Sequence, residues 1–423
     1  MNADMADRTA EHGQRVTTLE LFFDLVLVSA FTQVTSFLSH DPTWGGLLRA
    51  LFLLGALWWA WSGYAWLTNT LDPERDAVRI AMFAAIAAML IVSLAVPGAF
   101  GPNGVIFGVA YLVVRLLHLV LYAIAGRGDR DLFRAVMRTA PVAILAPVLL
   151  LVAGFFHGPT QLSIWGAALA IDYLGVLFAR TRGWRISPEH FVERFGLIII
   201  IALGESIVAI SVGAAGHPLD AGEITAALLG VTVAACLWWS YFDWVIFVGQ
   251  ALLEDATGAE RAAFARDVYS YLHMPMVTGI VLFAFGLATT LAGDGDRLAL
   301  VPAVGLCGGV ALYLLAHVVV RLRMRGGLGR GRPIAAVLLL GLIPVATAVP
   351  AVVALGLVTA TCVCLIVYEA LRHRASRTWI RSRRGDFTLE EVRRIAENDR
   401  LRRPPGSDDS IDASGESPST DPA

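Results

Sequence analysis

The chain has 423 residues, 57% of them hydrophobic and only 16% charged, with 33 basic residues set against 35 acidic ones. Ordinary soluble domains carry about 25% charged residues, so a soluble enzyme, a disordered binding tail and a disulfide scaffold are all excluded as descriptions of this composition. What remains is a polytopic, all-α transmembrane helix bundle whose first partner is the lipid bilayer.

In chain order, the polar opening of residues 1–17 lacks a basic segment followed by an apolar one, so no cleaved signal peptide is expected. A crossing helix needs about 20 apolar residues. Twelve spans fit, near 18–38, 46–67, 78–98, 104–125, 134–156, 160–180, 190–213, 223–249, 268–292, 298–320, 334–349 and 351–371. Three charge-free stretches, 80–114, 139–171 and 333–368, are too long for one helix. The first breaks at the turn-rich run from Pro97 to Gly104, and the second at His157-Gly158-Pro159. The third offers only Pro344 and Pro350, which leaves two helices near the minimum length. Beyond the spans, residues 372–403 form an Arg-rich tail in which Thr388 and Glu391 make a capping box for a short helix, Leu389–Arg403. Residues 404–423 are rich in Pro, Ser and Asp and read as disordered.

Every one of the 33 basic residues is an arginine, and their placement orients the chain. With the N-terminus in the cytoplasm, 29 arginines fall on that side and two, Arg49 and Arg297, on the other, while Arg115 and Arg194 lie within spans. This positive-inside bias places both termini in the cytoplasm of a bacterial plasma-membrane protein and favours an even number of spans. Cys236, Cys307, Cys362 and Cys364 all lie in apolar runs and read as small core residues rather than disulfide partners.

The chain also matches itself. Glu20-Leu-Phe22 opens the first span and Glu193-Arg-Phe195 the seventh; Leu57-Trp58-Trp59 in the second is echoed by Leu237-Trp238-Trp239 in the eighth; Gly108-Val-Ala-Tyr111 in the fourth resembles Gly309-Val-Ala-Leu-Tyr313 in the tenth. The shared order of these matches suggests two parallel six-helix repeats, 18–180 and 181–371, related by a pseudo-two-fold axis along the membrane normal.

Ionisable groups inside a bilayer are costly and mark candidate sites. Glu20 and Asp24 stand at i and i+4 on the first span, followed by Thr32 and Gln33; the seventh span carries Glu193 near its start and Glu205-Ser206 about 18 Å deeper. Under the 173-residue offset Thr32-Gln33 overlays Glu205-Ser206. These seven residues form the candidate intramembrane polar path. Arg115, His118, Asp172, Asp243 and His273 form a surrounding set, with Arg115 as the counter-charge for Asp172, Asp24 or Glu205; the alternative is a structural ion-pair network. Lone helical histidines such as His118 and His317, without a second ligand at helical spacing, give no metal site, and no cofactor is expected. The tryptophans around Trp58 and Trp238, through Trp61, Trp66 and Trp244, could cage a cation but read better as packing and interfacial anchors. No hydrolase elbow, phosphate-binding loop or zinc-protease motif occurs, so an enzyme is not expected.

The run from Thr18 to Val28, Thr-Leu-Glu-Leu-Phe-Phe-Asp-Leu-Val-Leu-Val, continuing through Ala30-Phe-Thr-Gln33, resembles the opening signature of the bacterial low temperature requirement A family. The run from Phe191 to Val208, containing Gly204-Glu205-Ser206, resembles its second signature, and Tyr271-Leu-His273 with Gly279-Ile280 a third. The resemblance covers about 18–371 and implies an integral membrane protein; the family is named for a cold-growth requirement. The leading expectation is movement of a small solute or ion along a polar path lined by the first and seventh spans. The alternatives are a non-transporting protein of stress or cold adaptation with a structural polar core, and a membrane-embedded enzyme acting on a lipid-soluble substrate. No nucleic acid is expected as a partner; the residues do not indicate an oligomeric state.

Overall fold

A computed structural model describes residues 16–71, 75–215, 220–243, 245–293, 296–324, 329–372 and 391. The expected tail helix at 389–403 and the disordered reading of 404–423 lie outside them, apart from Glu391. The described chain is a helix bundle. Its elements are α1 (Thr18–His40), α2 (Trp44–Thr68), α3 (Asp76–Ala95), α4 (Gly104–Ala125), α5 (Arg130–Ala153), α6 (Gly158–Leu177), α7 (Pro188–Gly213), α8 (Ala221–Phe242), α9 (Val245–Asp255), α10 (Gly258–Ala292), α11 (Leu300–Arg323), α12 (Gly331–Ala346) and α13 (Ala351–Arg372).

Local chemistry sets the ends of these helices. Thr17 caps α1: its peptide N–H donates to Glu20 Oε2 at 2.8 Å and its hydroxyl accepts from the Glu20 N–H at 3.4 Å, a complete capping box. Thr43 and Asp220 cap α2 and α8 in the same way through one side-chain oxygen each. The two turn clusters break the long apolar stretches where expected: a short 3₁₀ turn, Val96–Gly98, closes α3, and Gly158, at φ +64°, opens α6. The third stretch also divides, between α12 and α13.

Eleven stretches of helix among the described residues are long and apolar enough to cross a membrane. Against the expected twelve, the exception is the eleventh: α12 has 16 residues, about 24 Å of rise where a bilayer core measures about 30 Å. Two other boundaries differ. The eighth stretch extends beyond 249, as Ala221–Asp255, with residue 244 outside the described residues. The ninth begins ten residues early, at Gly258, and passes through a π-helical stretch, Arg266–Leu272, before returning to α-geometry at His273. Two carbonyls of that stretch take side-chain donors: Trp58 Nε1 on Ser270 at 2.7 Å, and His273 Nδ1 on Val268 at 2.9 Å.

The most deeply buried helices are α2, α10 and α11, while α1 exposes Leu21, Phe22 and Leu25 on one side. The bundle's centre is therefore not α1 and α7 alone, as the matched openings of the first and seventh spans suggest. The two halves share a packing scheme: α1 packs on α3 as α7 packs on α10, α3 on α4 as α10 on α11, α5 on α6 as α12 on α13, and α2 on α6 as α8 on α13. Tyr111 in α4 donates its hydroxyl to the Ala56 carbonyl of α2 at 3.1 Å, and Tyr313 in α11 donates to the Leu237 carbonyl of α8 at 2.8 Å. The tryptophans break the parallel, since Trp58 and Trp61 are buried whereas Trp238 and Trp239 face outward; Trp244 lies outside the described residues. Cys236, Cys307 and Cys362 are buried free thiols, but Cys364 is exposed and is not the core residue that its apolar run suggests.

Candidate functional site

Where α1 and α7 touch, polar groups meet in register. Glu20 lies against His190, Asp24 against Arg194, and Thr32 against Glu205. The sequence separations, 170, 170 and 173 residues, stay nearly constant along the contact. Antiparallel helices would hold the sum of the residue numbers constant instead, so α1 and α7 run parallel.

One end of this seam is crowded with charge. Glu20 and Asp24 occupy one face of α1 at i and i+4, and His190 and Arg194 occupy one face of α7 at the same spacing. Arg194 donates through Nη1 to Asp24 Oδ2 at 2.9 Å, and its Nε lies 3.7 Å from Glu20 Oε1. His190 Nε2 contacts Glu20 Oε2 at 3.2 Å. From α2, Trp61 Nε1 donates to the second Asp24 oxygen at 2.8 Å, and its ring lies beneath the Arg194 guanidinium at 5.7 Å. Glu20, Asp24 and Arg194 are each wholly buried. Asn69 ties the cluster to the chain before α7, accepting from the Ser187 N–H at 2.6 Å and meeting His190 Nδ1 at 3.0 Å.

About 12 Å further along α1, and about 16 Å along α7, the seam changes character. Thr32 Oγ1 lies 2.7 Å from Glu205 Oε2 and 3.2 Å from the Val28 carbonyl. Thr35 lies on the same side of Glu205, and Ser206 beside it is buried with its hydroxyl unpartnered. Glu205 is 1% exposed, and among the described residues no arginine or histidine forms an ion pair with it. Thr32 has one hydroxyl proton and two acceptors in reach. With an ionised Glu205, that proton is donated to the carboxylate. With a protonated Glu205, the carboxyl donates to Thr32, which donates on to Val28. Rotation of one hydroxyl thus serves either protonation state.

The remaining candidates separate from the seam. Arg115 is not the counter-charge of Glu205 or Asp24; it pairs with Asp172 at 2.8 and 3.2 Å, joining α4 to α6, because that aspartate faces it from the adjacent helix. His118 contacts the Gly63 carbonyl at 3.0 Å, where a Cβ on Gly63 would stand 3.0 Å from the imidazole. His273 uses both ring nitrogens, on Val268 and on the Tyr241 hydroxyl, and so locks α8 to the π stretch of α10. Asp243 follows the end of α8, next to Arg332. Arg332, counted by sequence among the loop arginines, is instead the first-turn residue of α12 and pairs with Glu369 at 2.8 Å. Glu193 is exposed, its carboxylate accepting from the Val16 N–H at 3.2 Å, because it lies about 100° around α7 from Arg194. Gln33 is half-buried, with no hydrogen bond among the described residues. Of the seven path residues, the structure brings Glu20, Asp24, Thr32 and Glu205 onto the seam, buries Ser206 next to Glu205 and leaves Glu193 and Gln33 off the seam. The Trp-rich stretch is packing: Trp58, Ser62 and Trp66 all hydrogen-bond Ser270.

Sequence reasoning missed His190 and Arg194 as partners. The signal was there, a His-x-x-x-Arg spacing complementary to Glu20-x-x-x-Asp24. Aligning Glu20 with Glu193 drew attention one residue away from it.

A sequence model of the family described as bacterial low temperature requirement A protein matches residues 15–367. An uncharacterized protein of Rhizobium meliloti (strain 1021) is 29% identical over 311 residues, covering 70% of this chain and 74% of the relative. No solved structure matches.

Proposed function

The chain belongs to the bacterial low temperature requirement A family, and from that premise we propose that it moves a small cation, in the simplest case a proton, through the membrane along the α1–α7 seam. The observation that carries this reading is Glu205, a carboxyl buried between two parallel helices with a hydroxyl partner and no ion-pair partner among the described residues. A carboxyl in that setting gains and loses a cation more readily than one bound to an arginine, because no fixed charge competes for it. Thr32 receives either form. The Arg194 cluster closes the seam toward the side on which α1 begins. The arginine distribution sets that side, and both termini, in the cytoplasm. The shared packing scheme of the two halves and the paired tyrosine bonds support a duplicated six-helix unit with the seam near its pseudo-axis. No chemical conversion is assigned.

A second reading, a non-transporting membrane protein of cold or stress adaptation with a structural polar core, is favoured by the dense bonding of Glu20, Asp24, His190 and Arg194. The test is ion flux into proteoliposomes containing the purified protein, followed with a pH-sensitive or cation-sensitive dye under an imposed gradient. Flux that disappears in Glu205→Gln supports translocation. No flux of protons or alkali ions, with cold growth of a deletion strain still rescued by Glu205→Gln, overturns it in favour of the structural reading.

A further inference from the structure

The charged end of the seam contains an imbalance that its hydrogen bonds define. The Ser187 N–H donates to Asn69 Oδ1, which identifies the oxygen of that amide and turns Nδ2 toward the Ser187 carbonyl at 3.3 Å and His190 Nδ1 at 3.0 Å. An amide nitrogen only donates. His190 Nδ1 is therefore the acceptor nitrogen, and Nε2 carries the ring's single proton toward Glu20 Oε2. Two carboxyls, Glu20 and Asp24, then face one guanidinium, Arg194.

Among the described residues, the ion pairs of Glu20 and Asp24 are those with Arg194 and His190 alone. The side chains presented by α2 are Trp61, Thr68 and Asn69, and the capping Thr17 precedes α1. The titratable groups of α10 nearest this end, Tyr269 and His273, meet Phe191 and Phe195 edge to face, and His273 is bonded at both nitrogens. Glu193 is exposed. At the same time the buried Glu20 Oε1 is approached by His190 Nε2 at 3.2 Å and Arg194 Nε at 3.7 Å without a well-formed hydrogen bond among the described residues. An uncompensated negative charge in such surroundings is expensive and is relieved by taking up a cation.

We infer that this cluster binds one proton, carried by Glu20 or Asp24, and so forms a second proton-holding position on the seam, about 12 Å along α1 from Thr32 and Glu205. On the translocation reading it is the position that exchanges protons between Glu205 and the cytoplasmic side. The charge count itself rests on the geometry around Asn69 and His190 and on the charged groups among the described residues. Its test reads protonation rather than flux, so either inference can fail without the other.

The experiment uses the full chain in lipid vesicles at neutral pH, with Glu205→Gln as background so that Glu205 contributes no signal. Infrared spectra of protein carrying ¹³C-carboxyl glutamate or aspartate should show a carboxylic-acid C=O band that shifts with one label and is lost in Glu20→Gln or Asp24→Asn. Nitrogen NMR of ¹⁵N-histidine, assigned with His190→Gln, should show His190 protonated at Nε2 and not at Nδ1. Asn69→Leu frees Nδ1; the proton should then move to the imidazole and the acid band should vanish. The label shift in the parent protein needs no further variant, so misfolding of one leaves the test intact. An imidazolium at His190 with no acid band overturns the inference, as does an acid band that survives both Glu20→Gln and Asp24→Asn. A sodium-dependent rise in melting temperature without an acid band assigns the charge to an alkali ion and overturns it equally.

Discussion

Along a single helix–helix contact the protein builds two buried acidic sites on opposite plans. At one end, Asp24 receives a guanidinium N–H and an indole N–H, and Glu20 is bonded by the Thr17 cap and His190. In the middle, Glu205 meets a threonine hydroxyl and no cation among the described residues. The first arrangement fixes two helices in register, since every displacement of α1 against α7 separates charges. The second leaves a carboxyl whose charge state is free to change at the cost of one hydroxyl rotation. The contrast separates acidic groups that also hold the bundle together from one that does not.

The largest effect should come from Arg194→Leu, which strands Glu20 and Asp24 in an apolar interior. Removing one partner of a buried pair costs about 3–5 kcal/mol, read as a fall in melting temperature of detergent-extracted protein; near-normal melting would contradict the structural role of this end. Arg115→Leu strands only Asp172, away from the seam, and should cost about 3 kcal/mol. The fraction that folds should keep its flux, which separates stability from translocation. Trp61→Phe retains the ring near Arg194 but removes the N–H on Asp24. A hydrogen bond to a charged group is worth about 1.5–3 kcal/mol, so melting should fall by an amount between those of the arginine variants and wild type. Thr32→Val removes the Glu205 partner at a cost of about 1 kcal/mol. Flux should drop in the valine variant and recover in Thr32→Ser; equal flux in both would detach Thr32 from the path.

Much of this architecture is legible in the residues, and the reasons differ by feature. Span positions follow from apolar runs interrupted by turn clusters such as Pro97 to Gly104, because backbone groups must be satisfied internally in lipid. The exceptions arise where tertiary contacts override local pattern. Ser270 and Val268 offer carbonyls to Trp58 and His273, so α10 adopts a π stretch that no hydropathy profile reveals. The 173-residue offset sets Thr32 and Glu205 at equivalent positions of the first and seventh spans, but their hydrogen bond emerges only from the packing of α1 on α7. Arg115 illustrates the limit: sequence names it as a buried cation, but only packing decides among Asp24, Asp172 and Glu205, and Asp172 is the carboxyl facing it. Arg194 is likewise placed within a span by sequence, but only packing shows that its partners are Asp24 and Glu20.

The most direct test of the contrast is Glu205→Gln, measured for melting temperature and for flux on the same preparation. The amide keeps the shape and can donate to Thr32 while carrying no exchangeable charge. The account predicts melting within about 1 kcal/mol of the parent, the scale of one neutral hydrogen bond, with flux abolished. A loss of about 3–5 kcal/mol, the signature of a stranded buried cation, would place Glu205 in the same structural class as Asp24 and contradict the claim that the two ends of the seam do different work.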